Sequence, residues 1–234
     1  MRTLIGILLG SCLAAISQGV GAQGNEGIGE EGLTLAKAPP AIRGWVKVLS
    51  TQQCSSSALG ALRTTRGVAE SGAQGDLVWG YTAGAVVVIR CLQYKDGPTL
   101  AAFAVADKSS ASADRLLRAV HDALGRASPV SSLWREGQVR GWPSWGMRSF
   151  NTSGAALKRC SDAAAAMLGR SSQESPAPWA TVVRGQLGSS SVSISCLAVK
   201  GNPSHVEIVA ASWERDAAKR AAERLEAELR RRLG

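Results

Sequence analysis

Five cysteines and two histidines bound the chemistry open to this chain. Cys12 falls in the N-terminal segment. The other four are Cys54, Cys91, Cys160 and Cys196. Cys54 and Cys91 are 37 residues apart, Cys160 and Cys196 are 36, and Cys54 and Cys160 are 106. The pairs therefore read as one pair occurring twice, which predicts the disulfides Cys54–Cys91 and Cys160–Cys196 over the other two connectivities. A zinc site with four thiolates is the competing reading, but the chain has no Cys-x-x-Cys pair to support it. With only His121 and His205, a multi-histidine metal centre is excluded and a histidine-based triad is disfavoured.

Tryptophan is the second unusual feature. The chain has seven Trp against two Phe and two Tyr. Trp134, Trp142 and Trp145 are interleaved with Arg135, Arg140 and Arg148 in one stretch. Rings that stack on a sugar or base beside cations that hold an anionic group would make a binding platform, and these six residues are its candidates. The competing reading is that these Trp pack a connector onto its neighbours. Arg140-Gly141-Trp142 echoes Arg43-Gly44-Trp45, which suggests a repeated lead-in.

Other motifs are thin. Gly27-Ile28-Gly29-Glu30-Glu31-Gly32 matches G-x-G-x-x-G, but no strand precedes it and its two glutamates would repel a pyrophosphate, so it reads as linker. No Walker, G-x-S-x-G or H-E-x-x-H motif occurs, and no cofactor is implied. His121 reads as a partly exposed helix residue and His205 as a surface residue at a strand end. Asn151-Thr152-Ser153 is a glycosylation sequon, relevant only in a eukaryotic secretory route.

The elements that must position these residues follow from patterning. At 45% apolar and 19% charged residues, the composition is globular. Residues 1–22 read as a signal peptide: Met1-Arg2, an apolar run from Thr3 to Ile16, and small residues up to cleavage after Ala22. A membrane anchor, or lipidation at Cys12 in Leu9-Gly10-Ser11-Cys12, are the alternatives. No later stretch is long enough to span a membrane. Residues 23–42 read as a flexible leader, 43–126 as a first unit, 127–150 as the Trp/Arg-rich connector and 151–234 as a second unit.

Each unit reads as helix, three mainly antiparallel strands, helix. The strands are Leu77–Tyr81, Ala85–Leu92 and Leu100–Ala106 in the first, and Thr181–Leu187, Val192–Leu197 and His205–Ser212 in the second. The Val86–Ile89 run has no polar face and predicts a strand buried on both sides. The closing helices carry apolar stripes at Leu116, Leu117, Val120 and Leu124, and at Ala218, Ala221, Ala222, Leu225 and Leu229. A Cys on the first helix and a Cys near the end of the second strand can approach to bonding distance when helix packs on sheet. The predicted fold class is α+β: two duplicated units with one disulfide each.

This pattern, an Ala-rich helix bearing Cys54 and then Ile89-Arg90-Cys91-Leu92, a strand and a helix, resembles a module of exported bacterial proteins with no activity attached to it. The second copy departs from it, with Ser195 in place of Arg90. The resemblance implies export and disulfides, and nothing about substrate.

Together these features predict an exported protein, periplasmic or secreted. It would be non-catalytic and bind an envelope protein or an anionic envelope polymer, since Lys+Arg is 27 against Asp+Glu 18. A secreted inhibitor or immunity-type protein is the first alternative. A small hydrolase with a site between the units is the second, and would need acids and a histidine in one pocket. Export argues against nucleic acid as the partner.

Overall fold

The structure, a computed structural model, describes residues 38–49, 53–93, 99–130, 134–135, 142–153, 156–199 and 203–234, with only the backbone at 134–135. In chain order the elements are β1 (Ala41–Leu49), α1 (Cys54–Thr64), β2 (Glu70–Gln74), β3 (Leu77–Thr82), β4 (Ala85–Gln93), β5 (Thr99–Asp107), α2 (Ser110–Leu124) and β6 (Trp134–Arg135). They continue with β7 (Ser144–Thr152), α3 (Leu157–Met167), β8 (Gly169–Ala177), β9 (Ala180–Leu187), β10 (Ser190–Leu197), β11 (Ser204–Ser212) and α4 (Ala217–Leu233). The segments read as signal peptide and as most of the leader lie outside the described residues.

Two antiparallel sheets result, ordered β1-β5-β4-β3-β2-β6 and β7-β11-β10-β9-β8. The α+β class and one disulfide per unit are as the sequence predicts. Each sheet also has a leading strand, β1 or β7, and a strand after the first helix, β2 or β8, beyond the three expected, and the first sheet has a third addition, β6. β7 brings residues 144–150 of the connector segment into the second sheet. β2 and β8 carry Glu70-Ser71-Gly72-Ala73-Gln74 and Gly169 to Ala177, with little apolar alternation to announce a strand.

Local causes are visible. The β-branched run Val86–Ile89 is buried throughout because β4 has one face under helices and the other on the second sheet. Gly84 and Gly188 take positive φ in the β3–β4 and β9–β10 hairpin turns, where a side chain would be strained. Ser109 caps α2, its hydroxyl accepting from the Ser112 amide at 3.2 Å. Cys54–Cys91 and Cys160–Cys196 tie α1 to β4 and α3 to β10, with Cα separations of 5.8 and 6.1 Å.

The layers stack helices, sheet, sheet, helices. Leu59, Leu62, Ile89, Phe103 and Val120 fill the core between the first sheet and α1 and α2. Phe150, Ile194, Ile208, Leu225 and Leu229 do the same beneath α3 and α4. Between the sheets, Ile42, Val86, Val88 and Ala104 meet Met147, Val209 and Ala211, and Val46, Leu100 and Ala102 meet Ala180, Val182 and Leu197. Ser191, Ser193 and Ser195 alternate with apolar residues as if to face water, yet they are buried against the first sheet. Their small size allows close approach: a Cβ on Gly44 would lie 2.0 Å from Ser193 Oγ and 3.1 Å from Val182.

Candidate functional site

A cavity opens where β1 and α2 of the first unit face β8 and β9 of the second. Its volume is about 460 Å³. Arg43, Trp45 and His121 line one wall, and Ser172, Glu174 and Arg184 the other. On β1 the residues at odd positions point to the helix side, so Arg43 reaches Asp114 on α2, its Nε donating at 2.7 Å. Lys47, four residues further on along the same face, donates from Nζ to the His121 carbonyl at 2.6 Å and secures the end of α2. Trp45 meets the His121 ring edge-on, with centroids 6.3 Å apart. Across the cavity Arg184 pairs with Glu174.

Both carboxylates are thus matched by an arginine. Arg118 also lines the cavity, and Arg170 lines a second hollow of about 300 Å³ that shares Arg43, Ser172 and Arg184 with the first. Neither Arg118 nor Arg170 takes part in an ion pair among the described residues. Among the described residues the groove therefore holds four arginines against two carboxylates. Arg184 is 13% exposed, and its Nε has no hydrogen-bond partner among the described residues. Arg170 has φ +45° beside a register shift between Gly169 and Ser172, a left-handed conformation uncommon for a residue with a side chain. The arrangement can hold a multiply charged anion and offers an aromatic surface beside it.

The strand registers relate this cleft to its counterpart. Cys91 faces Ala101 in the first sheet, as Cys196 faces Val206 in the second. Carried outward, the match pairs Gly72 with Ser172, Trp79 with Arg184, and Trp45 with Arg148. The corresponding region on the other side is built differently. There β6 is paired onto β2, setting Trp134 opposite Gly72 and Arg135 opposite Ser71.

The sequence-predicted platform residues Trp134, Arg135, Trp142, Trp145 and Arg148 sit on that second side or beside it. Trp142 stacks on Tyr81 with centroids 4.6 Å apart, and Trp145 Nε1 donates to the Tyr81 hydroxyl at 3.0 Å. Burial pushes the Tyr81 hydroxyl above its ordinary pKa, partly opposed by that bond. Arg148 bonds Glu223 and lies 3.5 Å from Glu226. Trp134 and Arg135 form β6, and Arg140 lies outside the described residues. Trp142, Trp145 and Arg148 are therefore engaged within the molecule. Trp142 precedes β7, whereas Trp45 lies inside β1, so the tryptophans of the two Arg-Gly-Trp triplets do not share a structural position. Arg118, Arg170 and Arg184 carry no sequence motif, and the Arg43-Gly44-Trp45 echo reads in sequence only as a repeated lead-in.

His121 is partly exposed on its helix, as expected, and lines the cleft. His205 is not a surface residue. It is 8% exposed because β11 is covered on both faces. Its Nδ1 lies 2.9 Å from Asn151 Oδ1 and its Nε2 3.2 Å from Glu207 Oε2. Glu207 is buried between the sheets, 3.7 Å from Arg90, which also bonds Asp76. Burial pushes the Glu207 carboxyl above its ordinary pKa, opposed by the bond to His205 and the charge of Arg90. No group of three or more metal-ligating side chains occurs among the described residues, and none of their helices is long and apolar enough to cross a membrane.

No protein-family model and no curated protein matches the chain. Among solved structures, DynU16 of the dynemicin biosynthetic locus is 10% identical, with 82% of this chain and 97% of that one covered at a TM-score of 0.26. The di-domain ARO/CYC StfQ of the steffimycin biosynthetic pathway is 10% identical, with 82% and 98% covered at 0.23. The immunity protein TplEi of the T6SS of Pseudomonas aeruginosa is 10% identical, with 81% and 88% covered at 0.20. Likenesses this distant do not bear on what the chain binds.

Proposed function

We propose that the chain is an exported binding protein, periplasmic or secreted, whose open cleft between the two sheets takes an anionic partner. The observation that carries this reading is the groove's unmatched charge: Arg118 and Arg170 beside the two arginine–carboxylate pairs. Two disulfides favour an oxidising, extracytoplasmic compartment. Trp45 and Leu117 add apolar surface, so the partner carries a flat or apolar group next to its charge.

Calorimetric titration of the oxidised protein with hexaglutamate, inositol hexakisphosphate and a heparin-derived tetrasaccharide tests this. At least one should bind, weakening by about tenfold between about 20 and 200 mM salt as screening grows. The Arg118→Glu, Arg170→Glu double variant should lose that binding. Binding unchanged in the double variant, or no binding by any of the three, overturns the reading.

A further inference from the structure

The second sheet ends at β8, whose residues Gly169–Ser175 are all exposed and whose outer edge faces no strand among the described residues. An open edge presents unpaired amides and carbonyls that can pair with another chain. The first sheet shows what such an edge accepts in this architecture. There the chain lays its own β6 along β2, and Trp134 comes to rest opposite Gly72. The strand registers make Ser172 on β8 the counterpart of Gly72, and Ser172 lines the arginine cleft. Among the described residues, the rung that is closed by a tryptophan-bearing strand on one side is therefore open on the other.

We infer that β8 receives an extended acidic segment of a partner protein, which pairs with the strand edge beside Ser172 and sets its carboxylates among Arg118, Arg170 and Arg184. This rests on the anion-binding reading of the cleft and names the class of anion. Charge selects the occupant. The groove's surplus is positive, so an acidic strand is drawn in and a basic one repelled. Side chains alternate between the two faces of a strand, so carboxylates at alternate residues of the segment stand on the Ser172 face, toward the arginines and beside Trp45. The stretch Ser172–Glu174 is regularly paired to β9 between two register shifts. A short contact suffices: β6 itself pairs only two residues with β2.

The test is selection of random peptides as long as β8, nine residues, on the full oxidised protein. The expected result is enrichment of sequences alternating Asp or Glu with apolar residues. An enriched peptide should slow amide exchange within Ser172–Glu174, and methylating its backbone nitrogens at alternate residues should weaken binding about tenfold or more. Binding that is indifferent to methylation, or that leaves β8 exchange unchanged, overturns strand pairing while the anion reading stands. No enrichment, with the tetrasaccharide or inositol hexakisphosphate still binding through Arg118, overturns the peptide as occupant and leaves the anion reading intact. A concentration-dependent dimer that protects Ser172–Glu174 without peptide assigns the edge to a second copy and overturns the inference. If neither peptides nor the other anions bind, both readings fall.

Discussion

The indole Nε1 of Trp145 donates to the Tyr81 hydroxyl at 3.0 Å, a bond that runs from the leading strand of the second sheet to β3 of the first. Trp142 covers the same ring at 4.6 Å. A hydrogen bond of this kind contributes roughly 1 kcal/mol. Tyr81→Phe is expected to lower unfolding stability by about that amount, and Trp145→Phe, which also loses packing, by roughly 1–3 kcal/mol. In urea denaturation the double variant should cost less than the sum of the two. Strict additivity would contradict the contact. Anion binding should be unaffected, because Tyr81 does not line the open cleft.

The crossing of Gly44 and Ser193 sets how closely the sheets approach. A Cβ at position 44 would lie 2.0 Å from Ser193 Oγ. Gly44→Ala is expected to cost roughly 1–3 kcal/mol through overpacking, and Ser193→Ala in the same chain to restore a large part of it. Equal losses with and without Ser193→Ala would place the strain elsewhere.

Glu207 gives a pH signature. Burial holds its carboxyl above the ordinary carboxylate pKa in the folded chain. The folded state then binds more protons than the unfolded one, so this group contributes stability below its unfolded pKa and loses it as pH rises through the folded value. Glu207→Gln should therefore flatten the decline in melting temperature above the ordinary carboxylate range. A decline of unchanged slope would show that the ionised carboxylate is fully compensated by Arg90 and His205.

Each disulfide closes a loop of 37 or 36 residues. On the chain-entropy model, Cys54→Ala with Cys91→Ala should cost roughly 3–4 kcal/mol, and Cys160→Ala with Cys196→Ala about the same. Losses under about 1 kcal/mol in urea denaturation would mean that the units hold without their staples.

Much of the frame was legible because it rests on local pattern. The cysteine spacing gives the two bonds, the Val86–Ile89 run gives a strand covered on both faces, and the stripe through Leu225 and Leu229 gives α4. The miss at His205 comes from neighbours that local pattern does not show: it looks exposed until Asn151 of the adjacent strand and Glu207 flank it. The cleft was the least legible part. Arg43, Arg118 and Arg184 stand on β1, α2 and β9, far apart in the chain, and only packing brings them together. The tryptophan-rich stretch, conspicuous in sequence, places Trp142 and Trp145 on Tyr81.

The most direct test of the account is nitrogen-15 NMR of the indole and arginine Nε signals during titration with the tightest of the three anions. The Trp45 indole and the Arg118 and Arg170 side chains are predicted to shift together, with Trp142 and Trp145 unmoved. Shifts at Trp142, Trp145 and Arg148 with Trp45 still would contradict the account and return the binding site to the tryptophan-rich segment.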